Sequence, residues 1–144
     1  MSEEPRRYDV RVSWSHEEGG TVLVDNKPSI KVVRPQGGES TPSLYTPEHL
    51  FVASATVCFM NSFIYFTRRM RIEFESFQCE ATGFLEKVGR SFEVTRITTR
   101  SKIVIGSEDL RPKFTRALKL GAKYCFVANS MKCPVEHDNE IIVK

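Results

Sequence analysis

Apolar positions recur along this chain with two periods, one of two residues and one near 3.6, and the two together divide it into strands and helices. Tyr8, Val10, Val12 and Trp14 alternate with Arg7, Asp9, Arg11 and Ser13, which predicts a strand with one buried face. Glu17 to Gly20 turns the chain. The β-branched runs Thr21–Val24 and Ile30–Val33 follow, separated by Asp25-Asn26-Lys27-Pro28, residue types that favour a tight connection. These three strands predict a small antiparallel meander. Arg34 to Tyr45 holds two prolines and two glycines and reads as a loop.

Thr46 to Met70 predicts a long helix. Thr46 is suited to cap its free N–H groups, Pro47 to the first helical position and Glu48 to the positive end of the dipole, while Arg68 and Arg69 offset the negative end. Such a helix spans roughly 37 Å at 1.5 Å per residue. From Leu50 to Phe66 its residues are apolar or small on nearly every face, which predicts burial on all sides. A membrane span is not expected, because Ser54, Thr56, Asn61 and Ser62 interrupt the apolar run of about 18 residues that one requires.

Period-two spacing then returns with Phe77, Cys79, Ala81, Gly83 and Leu85, and Val88-Gly89-Arg90 reads as a hairpin turn into Phe92–Ile105. Within that strand the apolar parity flips near Arg96, which predicts a bulge or a switch of face. Ser107-Glu108-Asp109 opens a second helix carrying Leu110, Phe114, Ala117, Leu118 and Gly121 on one side. Gly121–Lys132 reads as a break and a short helix with Cys125 near the junction, and Glu140–Val143 as a last strand. The order ββ(β)–α–ββ–α–α–β predicts an α+β fold, one domain over residues 1–144.

Composition narrows the function classes. The 144 residues are 40% hydrophobic and 27% charged, enough apolar material for a core. The net charge of +3 arises from 21 basic and 18 acidic residues spread along the chain, with no basic run interleaved with aromatics, so nucleic acid is not an expected partner. The start MSEEPRRYD is polar and acidic where a secretory signal would carry an apolar core, so export is not expected and the cytoplasm is the expected compartment. There Cys58, Cys79, Cys125 and Cys133 read as reduced thiols, catalytic or buried. With no CxxC pair and with His16, His49 and His137 scattered, neither a metal site nor a cofactor is expected.

Two thiols stand out by context, Cys58 within the long helix and Cys125 beside the short one. A buried cysteine is commonly a small core residue. A thiol peroxidase requires an ionised sulfur, a cation or helix N-terminus to hold it, and a second thiol to resolve the sulfenic acid. Spacing alone does not bring Cys58 and Cys125 together. Cys79 alternates with Phe77 and Ala81 and reads as core.

The segment YTPEHLFVASATVCF resembles the helix motif of the OsmC/Ohr family of osmotically inducible and organic-hydroperoxide-resistance proteins, through Pro47, Glu48, Leu50, Ala53 and Cys58. AKYCFVANSMK is similar to that family's second cysteine segment, with Cys125-Phe126, Asn129 and Ser130 in place of its Cys-Pro, Ser and Asn. A literal Cys-Pro pair occurs at Cys133-Pro134, but Cys125 leaves room for the short helix. The resemblance implies an intertwined homodimer, with highly curved antiparallel sheets packed around long central helices. It also implies reduction of organic hydroperoxides by Cys58 as the peroxidatic and Cys125 as the resolving thiol, with a dithiol reductant and Glu48 orienting an arginine. Glu48 and Cys58 lie about 15 Å apart along a continuous helix, so a shared pocket would draw Glu48 from the partner subunit or need a helix broken between them, and the partner is the expected source.

The family pattern places that arginine in the loop after the first strand, where this chain reads SHEEGG from Ser15 to Gly20. His16, Arg11 and Arg34 are the available substitutes. Phe51, Phe59, Phe63 and Phe66 near Cys58 are candidates to line a pocket for a small apolar hydroperoxide, although for any single one of them core is the expected role. A second functional class is a non-enzymatic module that binds an apolar or thiol-bearing small molecule in the same place. A cysteine hydrolase ranks last, since no histidine is identifiably placed as its base.

Overall fold

A computed structural model describes residues 4–33 and 43–144. The chain divides into two compact units, Met1–Leu50 and Phe51–Lys144.

The N-terminal unit holds the expected meander: β1 (Arg11–Ser15), β2 (Gly19–Leu23) and β3 (Ile30–Val32), antiparallel and in that order. The first strand starts at Arg11 rather than Tyr8, because Arg11 opposite Leu23 is the outermost pair of the ladder. Its alternation does not bury a face here: all five β1 residues are exposed, Val12 and Trp14 included. Gly20 is required by close approach, since a Cβ there would fall 2.7 Å from Val32 Cγ2. In the β2–β3 connection Asn26 adopts a left-handed φ of 65° and the Lys27 N–H donates to the Val24 carbonyl at 3.1 Å. Most of the predicted Arg34–Tyr45 loop lies outside the described residues; at its end Tyr45 forms a parallel bridge with Val32.

The long helix, α1 (Pro47–Met70), begins where its caps predict. The His49 N–H donates to Thr46 Oγ1 and the Thr46 N–H donates to His49 Nδ1, both at 3.1 Å, a reciprocal capping box with histidine in the usual Glu position. By length and composition α1 would suffice to cross a bilayer. Expected to be buried on all sides, it instead buries one stripe at four-residue spacing, Ala55, Phe59, Phe63 and Thr67, and leaves Val57 and Tyr65 about half exposed. At its end the Ile72 N–H reaches the Thr67 carbonyl at 3.0 Å and the Arg71 N–H the Arg68 carbonyl at 3.1 Å, with Arg71 at φ 58°. This is a Schellman ending with arginine in the place that favours glycine.

In the C-terminal unit β4 (Ser76–Val88) and β5 (Ser91–Ile105) form a long hairpin turned at Gly89, whose φ of 62° no larger side chain adopts easily. The register shifts where predicted: Phe84 faces Arg96 but Leu85 faces Val94, leaving Thr95 as the extra residue. Beyond that bulge Ile97, Thr99, Ser101, Ile103 and Ile105 share the buried parity. The last strand, β6 (Val135–Val143), is longer than the predicted Glu140–Val143 and pairs parallel to β5, so this sheet is mixed where an antiparallel one was expected. The α2 (Arg111–Lys123) and α3 (Phe126–Asn129) segment between β5 and β6 supplies the crossover that a parallel pair needs. A 3-10 turn, Glu108–Leu110, precedes α2.

Phe59, Phe63, Ile103, Ile105, Phe114, Ala117, Leu118 and Cys125 form the core between these helices and the sheet. Gly121 lets α2 close on α1, since a Cβ at that position would meet the Phe63 backbone at 3.1 Å. The polar residues this core encloses are satisfied. Thr99 Oγ1 lies 2.8 Å from His137 Nδ1, and Ser101 Oγ donates to Cys79 Sγ at 3.3 Å.

Candidate functional site

Cys58 occupies the middle of α1, half-buried, on the side of the helix that α3 approaches. The α3 turn is short, and Cys125 stands at its N-cap in extended conformation, φ −73° and ψ 105°. The Asn129 N–H closes that turn on the Cys125 carbonyl at 3.0 Å. With α3 seated in this way, the Val127 N–H points at Cys58 Sγ from 3.5 Å. Cys125 Sγ donates to the Ala55 carbonyl at 3.8 Å, three residues before Cys58 on α1. Both thiols thus meet one turn of α1.

Their environments differ. Cys125 is 1% exposed, and burial pushes its thiol from the ordinary 9.0 up to about 11. The Ala128 N–H opposes that rise, the adjacent Cys58 sulfur adds to it, and the Val127 N–H opposes it again. A neutral thiol sealed beside a more accessible one suits a division of labour, in which the open sulfur reacts first and the closed one keeps its proton. Among the described residues neither sulfur has an arginine or lysine partner.

The other expected residues are distributed as follows. Glu48 and His16 belong to the N-terminal unit, where Glu48 is exposed in the first turn of α1 and His16 packs edge-on against Trp14 with ring centroids 4.6 Å apart. Arg11 pairs with Asp25 at 3.1 Å, and Arg34 lies outside the described residues. Phe51 is 37% exposed. Phe59 and Phe63 are wholly enclosed and serve the core, Phe63 against Phe77 and Phe59 against the His137 ring at 4.2 Å. Cys133 is buried with Ala55 and Ile97, and Cys79 packs at the edge of the main core. One feature of the site and one of the adjoining core escaped sequence reasoning. The Val127 contact is a backbone group that no residue type signals. His137 shares strand parity with Val135, Ile141 and Val143, which marked it as inward-facing had the strand been read to its full length.

A family model described as OsmC-like protein matches residues 38–140. An OsmC-like protein of unknown function from Vibrio cholerae is similar in fold, with a TM-score of 0.81 at 22% identity over 94% of this chain and 99% of that one. An organic hydroperoxide resistance protein from Elizabethkingia anophelis gives a TM-score of 0.71 at 16% identity, covering 98% of this chain and 100% of its own. The organic hydroperoxide resistance protein OhrB of Bacillus subtilis gives 0.65 at 19%, covering 93% and 98%. No curated protein matches the chain.

Proposed function

This chain belongs to the OsmC-like protein family, and from that premise we propose that it is a cytoplasmic, homodimeric, thiol-dependent peroxidase that reduces organic hydroperoxides through Cys58 and Cys125. The observation that carries the reading is the meeting of the two thiols on one turn of α1, with Cys58 open and Cys125 closed. The organic hydroperoxide resistance proteins that share the fold support the substrate class. The uncovered apolar side chains of α1, Val57 and Tyr65, support a second copy packed along that helix, and a partner's Glu48 would then reach a thiol that its own Glu48, about 15 Å away along the helix, does not.

In the proposed reaction the Cys58 thiolate attacks the outer oxygen of ROOH, the O–O bond breaks, and the alkoxide leaves as ROH after taking a proton, giving Cys58 sulfenic acid. Cys125 then attacks the Cys58 sulfur; the S–O bond breaks and hydroxide leaves as water with the Cys125 proton. A dithiol returns the resulting disulfide to two thiols and is itself oxidised. The Val127 N–H aimed at Cys58 Sγ stabilises negative charge on that sulfur.

Turnover of cumene hydroperoxide with a dithiol reductant tests this. Cys58→Ser is expected to abolish it, and Cys125→Ser to permit one stoichiometric turnover followed by stalling. A rate unchanged by Cys58→Ser refutes the proposal. A second reading, a binding module for an apolar or thiol-bearing small molecule, is favoured by the absence of an arginine or lysine partner at either sulfur among the described residues. Thiol alkylation against pH separates the two: a Cys58 that ionises well below the reference value of about 8.5 supports the enzyme, and one at or above it supports the binder.

A further inference from the structure

The C-terminal end of α1 opens onto a cleft of about 580 Å³ that the thiol chemistry does not use. Its charged walls are Arg68, Arg71 and Glu73. Arg68 is ten residues beyond Cys58, about 15 Å along the helix, so the two places are separate. Four of the six other arginines of the same unit are engaged: Arg100 with Glu80, Arg111 with Glu108, Arg96 over the Phe84 ring and Arg69 over Tyr65. Among the described residues Arg68 and Arg71 have no carboxylate or aromatic ring as partner, and Glu73 has no cation within ion-pair reach, although all three line one opening.

The helix dipole accounts for Arg68, which stands in the last turn, where a cation is favoured. It does not account for Arg71. That residue lies past the helix at φ 58°, where glycine would close the Schellman ending without strain. The chain carries a second guanidinium there at a conformational cost, and sets it on the same cleft as the first. With Glu73 on the same opening the two guanidiniums leave an excess of one positive charge, which suits an anion held between them.

The remaining walls fit such a ligand. Ser107 Oγ accepts the Asp109 N–H at 3.3 Å, which leaves its own proton free to donate into the cleft. Gly106 has nothing within 4 Å of where a Cβ would stand, so the backbone there is open to a bound group. Glu73 supplies an acceptor for a hydroxyl, and Ile72 and Leu110 an apolar edge. We propose that this cleft binds a small hydroxylated phosphomonoester, its phosphate forked by Arg68 and Arg71 and its hydroxyl accepted by Glu73. The inference is independent of the peroxidase reading.

Calorimetric titration of the full chain with inorganic phosphate and with glycerol 3-phosphate, at constant ionic strength in chloride, tests it. Both are expected to bind saturably and to compete for one site, glycerol 3-phosphate several-fold more tightly. Arg68→Gln and Arg71→Gly should each weaken binding by about tenfold, as loss of a charge-assisted pair predicts. Glu73→Gln should erase the advantage of the ester. Arg71→Gly relieves strain, so its lost binding cannot be ascribed to unfolding. Absence of saturable binding, or binding that survives both arginine variants, overturns the site; equal affinity for the two probes overturns the ester assignment.

Discussion

Cys125 makes the stability of this fold sensitive to alkaline pH, with a sign and size that follow from its burial. The folded thiol ionises near 11, against an ordinary 9.0 in an unfolded chain. Between those values the unfolded chain has released the proton and the folded chain still holds it, so stability is complete below pH 9 and is lost as pH rises through 11. At about 1.4 kcal/mol per pH unit the loss is about 2 to 3 kcal/mol. Urea unfolding of the reduced protein from pH 8 to pH 11, compared with Cys125→Ala, isolates this contribution, because the two chains differ only at that residue. The variant is expected to be less stable at pH 8, having lost a buried sulfur, and to approach the parent as the pH reaches 11. Cys58→Ser should shrink the alkaline loss without abolishing it, since burial outweighs the contribution of the Cys58 sulfur. Parallel stability curves for the parent and Cys125→Ala would refute the reasoning.

Three further outcomes follow from the packing. Gly121→Val forces a branched side chain against the Phe63 backbone and should destabilise by about 2 kcal/mol or more, read as a lower urea midpoint. Arg71→Gly should stabilise by roughly 0.5–1 kcal/mol, the left-handed penalty of an L side chain less the extra freedom glycine gives the unfolded chain; a lower melting temperature would contradict the Schellman assignment. His137, its pKa lowered by burial, is neutral in the fold, so stability should fall as pH drops below 6.5, where the unfolded chain gains a proton that the folded one resists. His137→Gln should flatten that acid limb in a thermal melt series.

Much of the fold is legible in the sequence because it depends on local signals. The cap at Thr46, the Gly89 turn and the parity flip beside Arg96 each act within a few residues, and each appears where its pattern places it. What was misread depends on distant partners. Val12 and Trp14 alternate as a buried strand face does, yet alternation says only that a face is apolar, not that this copy of the chain covers it. The same holds for α1, apolar all round but buried along a single stripe. The parallel pairing of β6 follows from the crossover through α2 and α3, and the terminal residues alone carry no sign of direction.

The candidate site shows the same division between chemistry and position. Cys58 and Cys125 are conspicuous as residue types, and 66 intervening positions hide their meeting. That meeting is made by packing rather than by either cysteine. Gly121 allows α2 to lie on α1 at Phe63, the chain breaks at Tyr124, and α3 is thereby delivered to the turn of α1 that carries Cys58. A substitution at Gly121 should therefore disturb the thiols through the helix contact. In a Gly121→Ala protein that still folds, the alkaline signature of Cys125 should weaken, because a Cβ only 3.1 Å from the Phe63 backbone parts the helices that seal it. If Gly121→Ala left that signature intact, α3 would be held by its own contacts and the packing route from glycine to thiol would be wrong.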